Sequence, residues 1–244
     1  MKQLLGILIL LVLLGCQKPA DRACWKGAGK KTFKQVSFSS FEHLHLHANM
    51  EVELIQDSLN LIEWEAPENL MNFLVAEKVL DTLVLRNENH CHFLRYGKEK
   101  VKVKVHFKAL ERILFENSEP VIMQGTWQQN VIELILKEGA GPIQIDLNAH
   151  HAFVRNLYGW QDVQLTGSLS WLYADLDGTA SVEATGLQIT DSLLFSSASP
   201  KSSRVATDNI LVKAQLHSIG NLYLKGWPSL LLQNTYASGK IIIE

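Results

Sequence analysis

Four groups of side chains in this 244-residue chain have types and spacings that can support chemistry. His43, His45 and His47 alternate with Leu44 and Leu46. On an extended strand the three imidazoles leave one face, where two can converge on a zinc or copper ion and His90 or His92 can supply a third ligand. The same alternation describes a half-buried strand with solvated histidines, and no cysteine pair at zinc-finger spacing accompanies it, so no metal is assigned. Asp175 and Asp177 lie two apart, about 7 Å along a strand, a separation that suits the acid and base of an inverting glycosidase. Asp177-Gly178 is equally a turn signal that would rotate Asp177 out of the strand, and no Arg or His stands beside the pair. Tyr158 with Trp160, and Trp171 with Tyr173, put aromatics on one face of successive strands, where rings stack either on sugars or on one another in a packed ladder. Residues 27–32 superficially match a phosphate loop. They fail it, because Lys31 follows Gly29-Lys30 where Ser or Thr is required and Cys24 stands where the first glycine belongs. No Gly-x-Ser-x-Gly elbow is present. No catalytic residue and no cofactor are therefore assigned.

The elements that must position these groups are strands. Period-two alternation runs through residues 43–47, 51–54 and, most plainly, 100–105, where Lys and Val exchange places at every step. Residues 67–79 break the alternation and hold the one helical candidate beyond the N-terminus. From Pro120 onward a repeat emerges when strands are aligned on their terminal glycine. Val121-Ile122-Met123-Gln124-Gly125, Val163-Gln164-Leu165-Thr166-Gly167, Val182-Glu183-Ala184-Thr185-Gly186 and Leu222-Tyr223-Leu224-Lys225-Gly226 share apolar first and third positions. Glycine separations of 42, 19 and 40 residues fit one or two turns of a coil with about 20 residues per rung. Ile143-Gln144-Ile145-Asp146 and Val205-Ala206-Thr207-Asp208 read as weaker rungs between them. The pattern predicts a right-handed parallel β-helix, or solenoid, with positions one and three inward, position two in solvent and glycine at the corner. An antiparallel sandwich also accommodates strands at this spacing. Solenoid ends need caps; the less regular first third suits one end, and Lys240-Ile241-Ile242-Ile243-Glu244 reads as a closing edge at the other.

The N-terminus sets the compartment. Lys2 precedes an apolar run over residues 4–15 that stops at Cys16 and gives way to Gln17, Lys18 and Pro19. Twelve helical residues rise about 18 Å, short of the roughly 30 Å hydrocarbon core, so the run reads as an export signal and not as a span. Leu13-Leu14-Gly15-Cys16 resembles the bacterial lipobox, which implies cleavage before Cys16 and acylation of its sulfur, and two or three acyl chains hold a protein durably on a membrane. Residues 1–15 are thus the expected signal peptide, 16–31 a tether and 32–244 one domain. Cys24 and Cys91 remain as a pair in an oxidising compartment. A disulfide between them would close 67 residues and stabilise the fold by about 4 kcal/mol; two free thiols are the alternative. The formal charge of −2 becomes −3 when Lys2 leaves with the signal, and without a cluster of Lys and Arg a nucleic-acid partner is excluded.

Beyond these readings, essentially the whole chain after Cys24 resembles the head GIN domain family of auto-transporter adhesins. The resemblance rests on Phe41-Glu42-His43-Leu44, Val52-Glu53-Leu54-Ile55-Gln56-Asp57, Ala66-Pro67-Glu68-Asn69-Leu70 and Leu83-Val84-Leu85-Arg86-Asn87-Glu88-Asn89 before Cys91. It continues in Ala206-Thr207-Asp208-Asn209-Ile210 and Gly220-Asn221-Leu222-Tyr223-Leu224-Lys225-Gly226-Trp227-Pro228. His217-Ser218-Ile219-Gly220 departs from the glycine-rich turn of the family. The resemblance implies a β-helical fold on an exported, often lipid-anchored protein and carries no catalytic residue. The expectation is therefore an outer-membrane lipoprotein that binds an envelope or host glycan or protein, adhesion-like and non-enzymatic, with Tyr158, Trp160, Trp171 and Tyr173 as its ligand surface. A polysaccharide hydrolase or lyase on the same fold is the alternative.

Overall fold

The structure, a computed structural model, describes residues 27–47, 49–89 and 100–244. Valine-rich alternating segments pair in parallel and coil into a β-solenoid of about seven turns. The turns are built from four long bent strands, β9 (Val121–Glu138), β10 (Ile143–Asn156), β11 (Asp162–Leu176) and β12 (Ser181–Ser197). The later turns are split by corners into β13 (Ser203–Ala206), β14 (Leu211–Leu216), β15 (Leu222–Lys225), β16 (Leu230–Thr235) and β17 (Ile241–Ile243). Two inward columns run along the coil. Val121, Ile143, Val163 and Val182 stack in register on one wall, and Leu134, Val154, Ala174, Phe195 and Ala214 on the other. All nine are buried, and each large aliphatic side chain so removed from water contributes roughly 1.5–3 kcal/mol.

The repeat read from sequence lies where its register requires. Val163 and Leu165 are buried while Gln164 is exposed. Gly125, Gly167 and Gly226 take left-handed φ values of 79°, 100° and 94° at the corners. Gly186 has no positive φ; it follows an extra residue in β12 that shifts the register against β11 between Gln164 and Thr166. One weak rung is corrected by two residues. Ser203 pairs with Leu222, and Val205 pairs with both Ala184 and Leu224, so Val205 holds the third position and Thr207 falls opposite Gly226. Because strand period is two, the inward set survives the shift.

The first third forms the cap, in an order the chain does not follow. β2 (His43–His47) lies between β6 (Thr82–Asn87) and β8 (Arg112–Glu116). Likewise β3 (Glu51–Gln56) lies between β7 (Lys102–Phe107) and the start of β9. The outer rung therefore comes from later sequence than the rung it covers. Beyond it, β1 (Lys31–Ser37) and β4 (Leu61–Pro67) run antiparallel on one wall, and β5 (Leu74–Val79) runs antiparallel to β6 on the other. On the second wall β5 leaves a reversed edge, not the parallel edge that another rung would extend, whereas β1, twice reversed through β4, again runs in the rung direction. The short helix α1 (Glu68–Met71) begins after Pro67, buries Leu70 and Met71, and occupies the predicted irregular stretch. Ala28 is buried, and its carbonyl accepts from the Asn69 N–H, so the last residues of the expected tether already pack on the body. Gly27 likewise accepts from Asn69 Nδ2, which makes residues 27–30 a structural strap with no phosphate-loop geometry. Cys16, Cys24 and Cys91 lie outside the described residues, as do His90 and His92. At the far end β17 pairs with β15 as a closing strand. No helix among the described residues is long and apolar enough to cross a membrane.

Candidate functional site

Parallel register decides which outward side chains meet. On β10 the inward residues are Ala152 and Val154, so His151, Phe153 and Arg155 face out; on β11 Leu172 and Ala174 are inward, so Trp171, Tyr173 and Asp175 face out. The pairing sets His151 against Trp171, Phe153 against Tyr173 and Arg155 against Asp175. Trp171 and Tyr173 stack at 6.0 Å with their planes 14° apart, and Phe153 meets Trp171 edge-on at 5.2 Å. Arg155 lies over the rings of Phe153 and Tyr173, 5.5 Å and 5.9 Å from their centres, and reaches Glu133 at 3.4 Å. The Tyr173 hydroxyl donates to Asp175 at 3.3 Å. Burial, with the Asp175 charge and hydrogen bond, raises its pKa, so the phenol stays a neutral donor. The result is a half-buried aromatic patch on the outside of the coil with charged groups at its edge.

Tyr158 and Trp160 belong elsewhere. Both sit in the turn between β10 and β11, 73% and 63% exposed, beside a shallow 320 Å³ depression at Leu157 and Gly178. The single four-residue aromatic face expected from sequence is thus two separate features. Phe153, His151 and Arg155 escaped sequence reasoning because they lie 18 to 20 residues from their partners; the 20-residue rung length was the one signal that could have paired them. Asp175 and Asp177 both lie near Tyr173, whose pKa their charges help to raise. Asp175 points outward from β11, and Asp177 follows the strand end, its N–H donating to the carbonyl of Asn156, the last residue of β10.

The histidine strand presents a different grouping. His47 is the ladder partner of Glu116 on β8, and His45 reaches the same carboxylate. His45 Nε2 and His47 Nδ1 lie 2.6 Å and 2.8 Å from Glu116 Oε2, and Lys137 Nζ lies 2.5 Å from Oε1. Burial works against ionisation of Glu116, but the hydrogen bonds from Lys137, His47 and His45 outweigh it and hold the carboxyl at about 2. His43 sits further along β2, opposite Thr82 and Arg112. A 450 Å³ groove also opens over the outer face of β4, β7 and β3, but its charges are paired, Glu51 with Lys100 and Lys102, Glu53 with Lys104.

The profile of the family described as "Putative auto-transporter adhesin, head GIN domain" matches residues 40–228. The chain belongs to that family. Solved structures carry the same fold. The head GIN chain is 18% identical to a putative adhesin from Bacteroides fragilis, over 88% of this chain and 97% of that one, with a TM-score of 0.75. It is 15% identical to a putative adhesin from Parabacteroides merdae, over 89% and 98%, with a TM-score of 0.64. A putative lipid binding protein from Parabacteroides distasonis is also 15% identical, over 88% and 97%, with a TM-score of 0.66. No curated protein matches the head GIN chain. At these identities the solved relatives establish the β-solenoid and leave ligands to be argued from the surface.

Proposed function

We propose that this head GIN domain chain is a lipid-anchored envelope module that acts by binding, without catalysis, and takes its ligand on the patch of Phe153, Trp171 and Tyr173. The observation that carries the reading is the patch itself, three rings in mutual contact directed outward from a rigid sheet. Rings already held by stacking offer apolar area at little entropic cost, and Arg155, Asp175 and the Tyr173 hydroxyl can orient a polar partner. Rungs about 4.8 Å apart suit an extended glycan better than a compact metabolite. Names of solved relatives as putative adhesins agree with a binding role. In this reading Cys16 carries the lipid that holds the domain at the outer membrane, a Cys24–Cys91 disulfide ties the cap, and the coil turns to the right, as parallel crossovers do in about 98% of cases.

Titration of purified envelope polysaccharides against intrinsic tryptophan fluorescence tests the site. The wild type should bind saturably. A Trp171→Ala, Tyr173→Ala double variant should lose binding with an unchanged melting temperature, and Tyr158→Ala, Trp160→Ala should keep it. Collapse of the first variant, or no saturable binding to any glycan by the wild type, would make the patch a packing feature and remove the proposed surface. Release of reducing ends from the polysaccharide would instead favour the hydrolase.

A further inference from the structure

His45, His47 and Glu116 converge in a way the aromatic reading does not use. The two imidazoles leave one face of β2 two residues apart, and the third group arrives from β8 through a parallel pairing that joins residues 69 and 71 positions apart. The donor atoms all lie within 4.8 Å of one another. We propose that His45, His47 and Glu116 form a binding site for a divalent transition-metal ion, zinc or copper(II).

The donor set defines the class of ion. Two of the three ligand atoms are imidazole nitrogens, which suit zinc and copper, whereas calcium and magnesium require oxygen. Ligand bonds of about 2.0–2.1 Å in tetrahedral geometry place neighbouring donor atoms about 3.4 Å apart. The present 2.6 Å and 2.8 Å separations are hydrogen bonds to Oε2, so an ion enters by opening each by less than about 1 Å and replacing both with bonds to itself. His47, with its side chain 51% exposed, has room to make that rotation, while Glu116 at 8% is held in place. Lys137 keeps Oε1 and fixes the carboxylate, leaving one oxygen for the ion. A ligating carboxylate is ordinarily oriented by such a hydrogen bond to its other oxygen, although the positive charge of Lys137 tempers affinity. Three protein ligands leave the fourth position facing solvent, open to water or to a donor atom from a partner.

The alternative is a closed triad in which both histidines only hydrogen-bond the carboxylate. Calorimetric titration of the EDTA-stripped full chain with zinc and with copper(II), and calcium as the control ion, separates the two. One saturable equivalent of zinc or copper is expected for the wild type and for His43→Ala. Affinity should fall at least tenfold in His47→Gln, and uptake should disappear in His45→Ala, His47→Ala. Electron paramagnetic resonance of the copper form should show coupling to two nitrogens, lost in the same variants. His47→Gln alters a half-exposed position, so its result stands even if the double variant folds poorly. Absence of saturable uptake by the wild type, uptake unchanged in His47→Gln, or equal competition by calcium would overturn the site.

Discussion

A methyl group at Gly167 would lie 2.1 Å from the carbonyl oxygen of Leu147, its ladder partner one rung away. The backbone there also has φ of 100°, so two independent penalties coincide. Gly125 has a comparable φ of 79° but open space around it. Gly125→Ala should therefore cost only the left-handed penalty, about 1–2 kcal/mol. Gly167→Ala must in addition push two rungs apart and should cost more than about 3 kcal/mol or prevent folding. Urea denaturation of both variants measures the difference, and equal midpoints would show that rung contact adds nothing.

Leu165 is fully buried and its neighbour Gln164 exposed, so adjacent substitutions should differ sharply. Leu165→Asp places an uncompensated carboxylate in the apolar column and should abolish the folded state. Gln164→Glu should change stability by less than about 0.5 kcal/mol. Far-UV circular dichroism with thermal melting distinguishes them.

Asn117 stands in for a missing strand partner at an inner corner. Its Oδ1 accepts from the Met50 N–H at 3.0 Å, and its Nδ2 donates to the carbonyls of Met50 and Glu119 at 3.0 and 2.8 Å. Asn117→Ala leaves the Met50 donor and acceptor buried without these bonds and should destabilise by about 2–4 kcal/mol. Asn117→Asp keeps one acceptor but loses both donated bonds, so its midpoint should fall between alanine and wild type at neutral pH.

Glu116 supplies an acid-sensitive increment of stability. A carboxyl whose folded pKa is depressed to about 2 from 4.5 stabilises the fold fully above pH 4.5, and the contribution drains away as pH falls from 4.5 through 2. Its size is on the order of 1–3 kcal/mol. Glu116→Gln should be less stable than wild type at pH 6, and the gap should close by pH 2. Denaturant midpoints across that range report it; a gap independent of pH would assign the loss to packing.

The cysteines make a covalent prediction. Mass spectrometry of the native protein should find the N-terminus at an acylated Cys16, and Cys16→Ala should release the chain from membranes. Peptide mapping without reductant should recover a Cys24–Cys91 fragment. An unmodified N-terminus elsewhere, or two free thiols in freshly isolated protein, would remove the anchor or the tie.

What the sequence determined by itself is whatever repeats at short range along one strand. Alternation fixed which side chains of β9 to β12 face the core, and glycines about two and three rungs apart marked the corners at Gly125, Gly167 and Gly226. These are local consequences of a two-residue period and of the left-handed backbone glycine permits. The tertiary structure decided which strands became neighbours. Register between rungs is a choice among long-range pairings, and it brought Phe153 to Trp171 and Tyr173, left Tyr158 and Trp160 in a turn, and slid the Ser203 rung by two. Cap strands stacked out of chain order put β2 between β6 and β8, and so set Glu116 against two histidines some seventy residues away. Nothing in the local pattern of His43 to His47 names that partner, because a strand's period tells where its side chains point and not what they will meet.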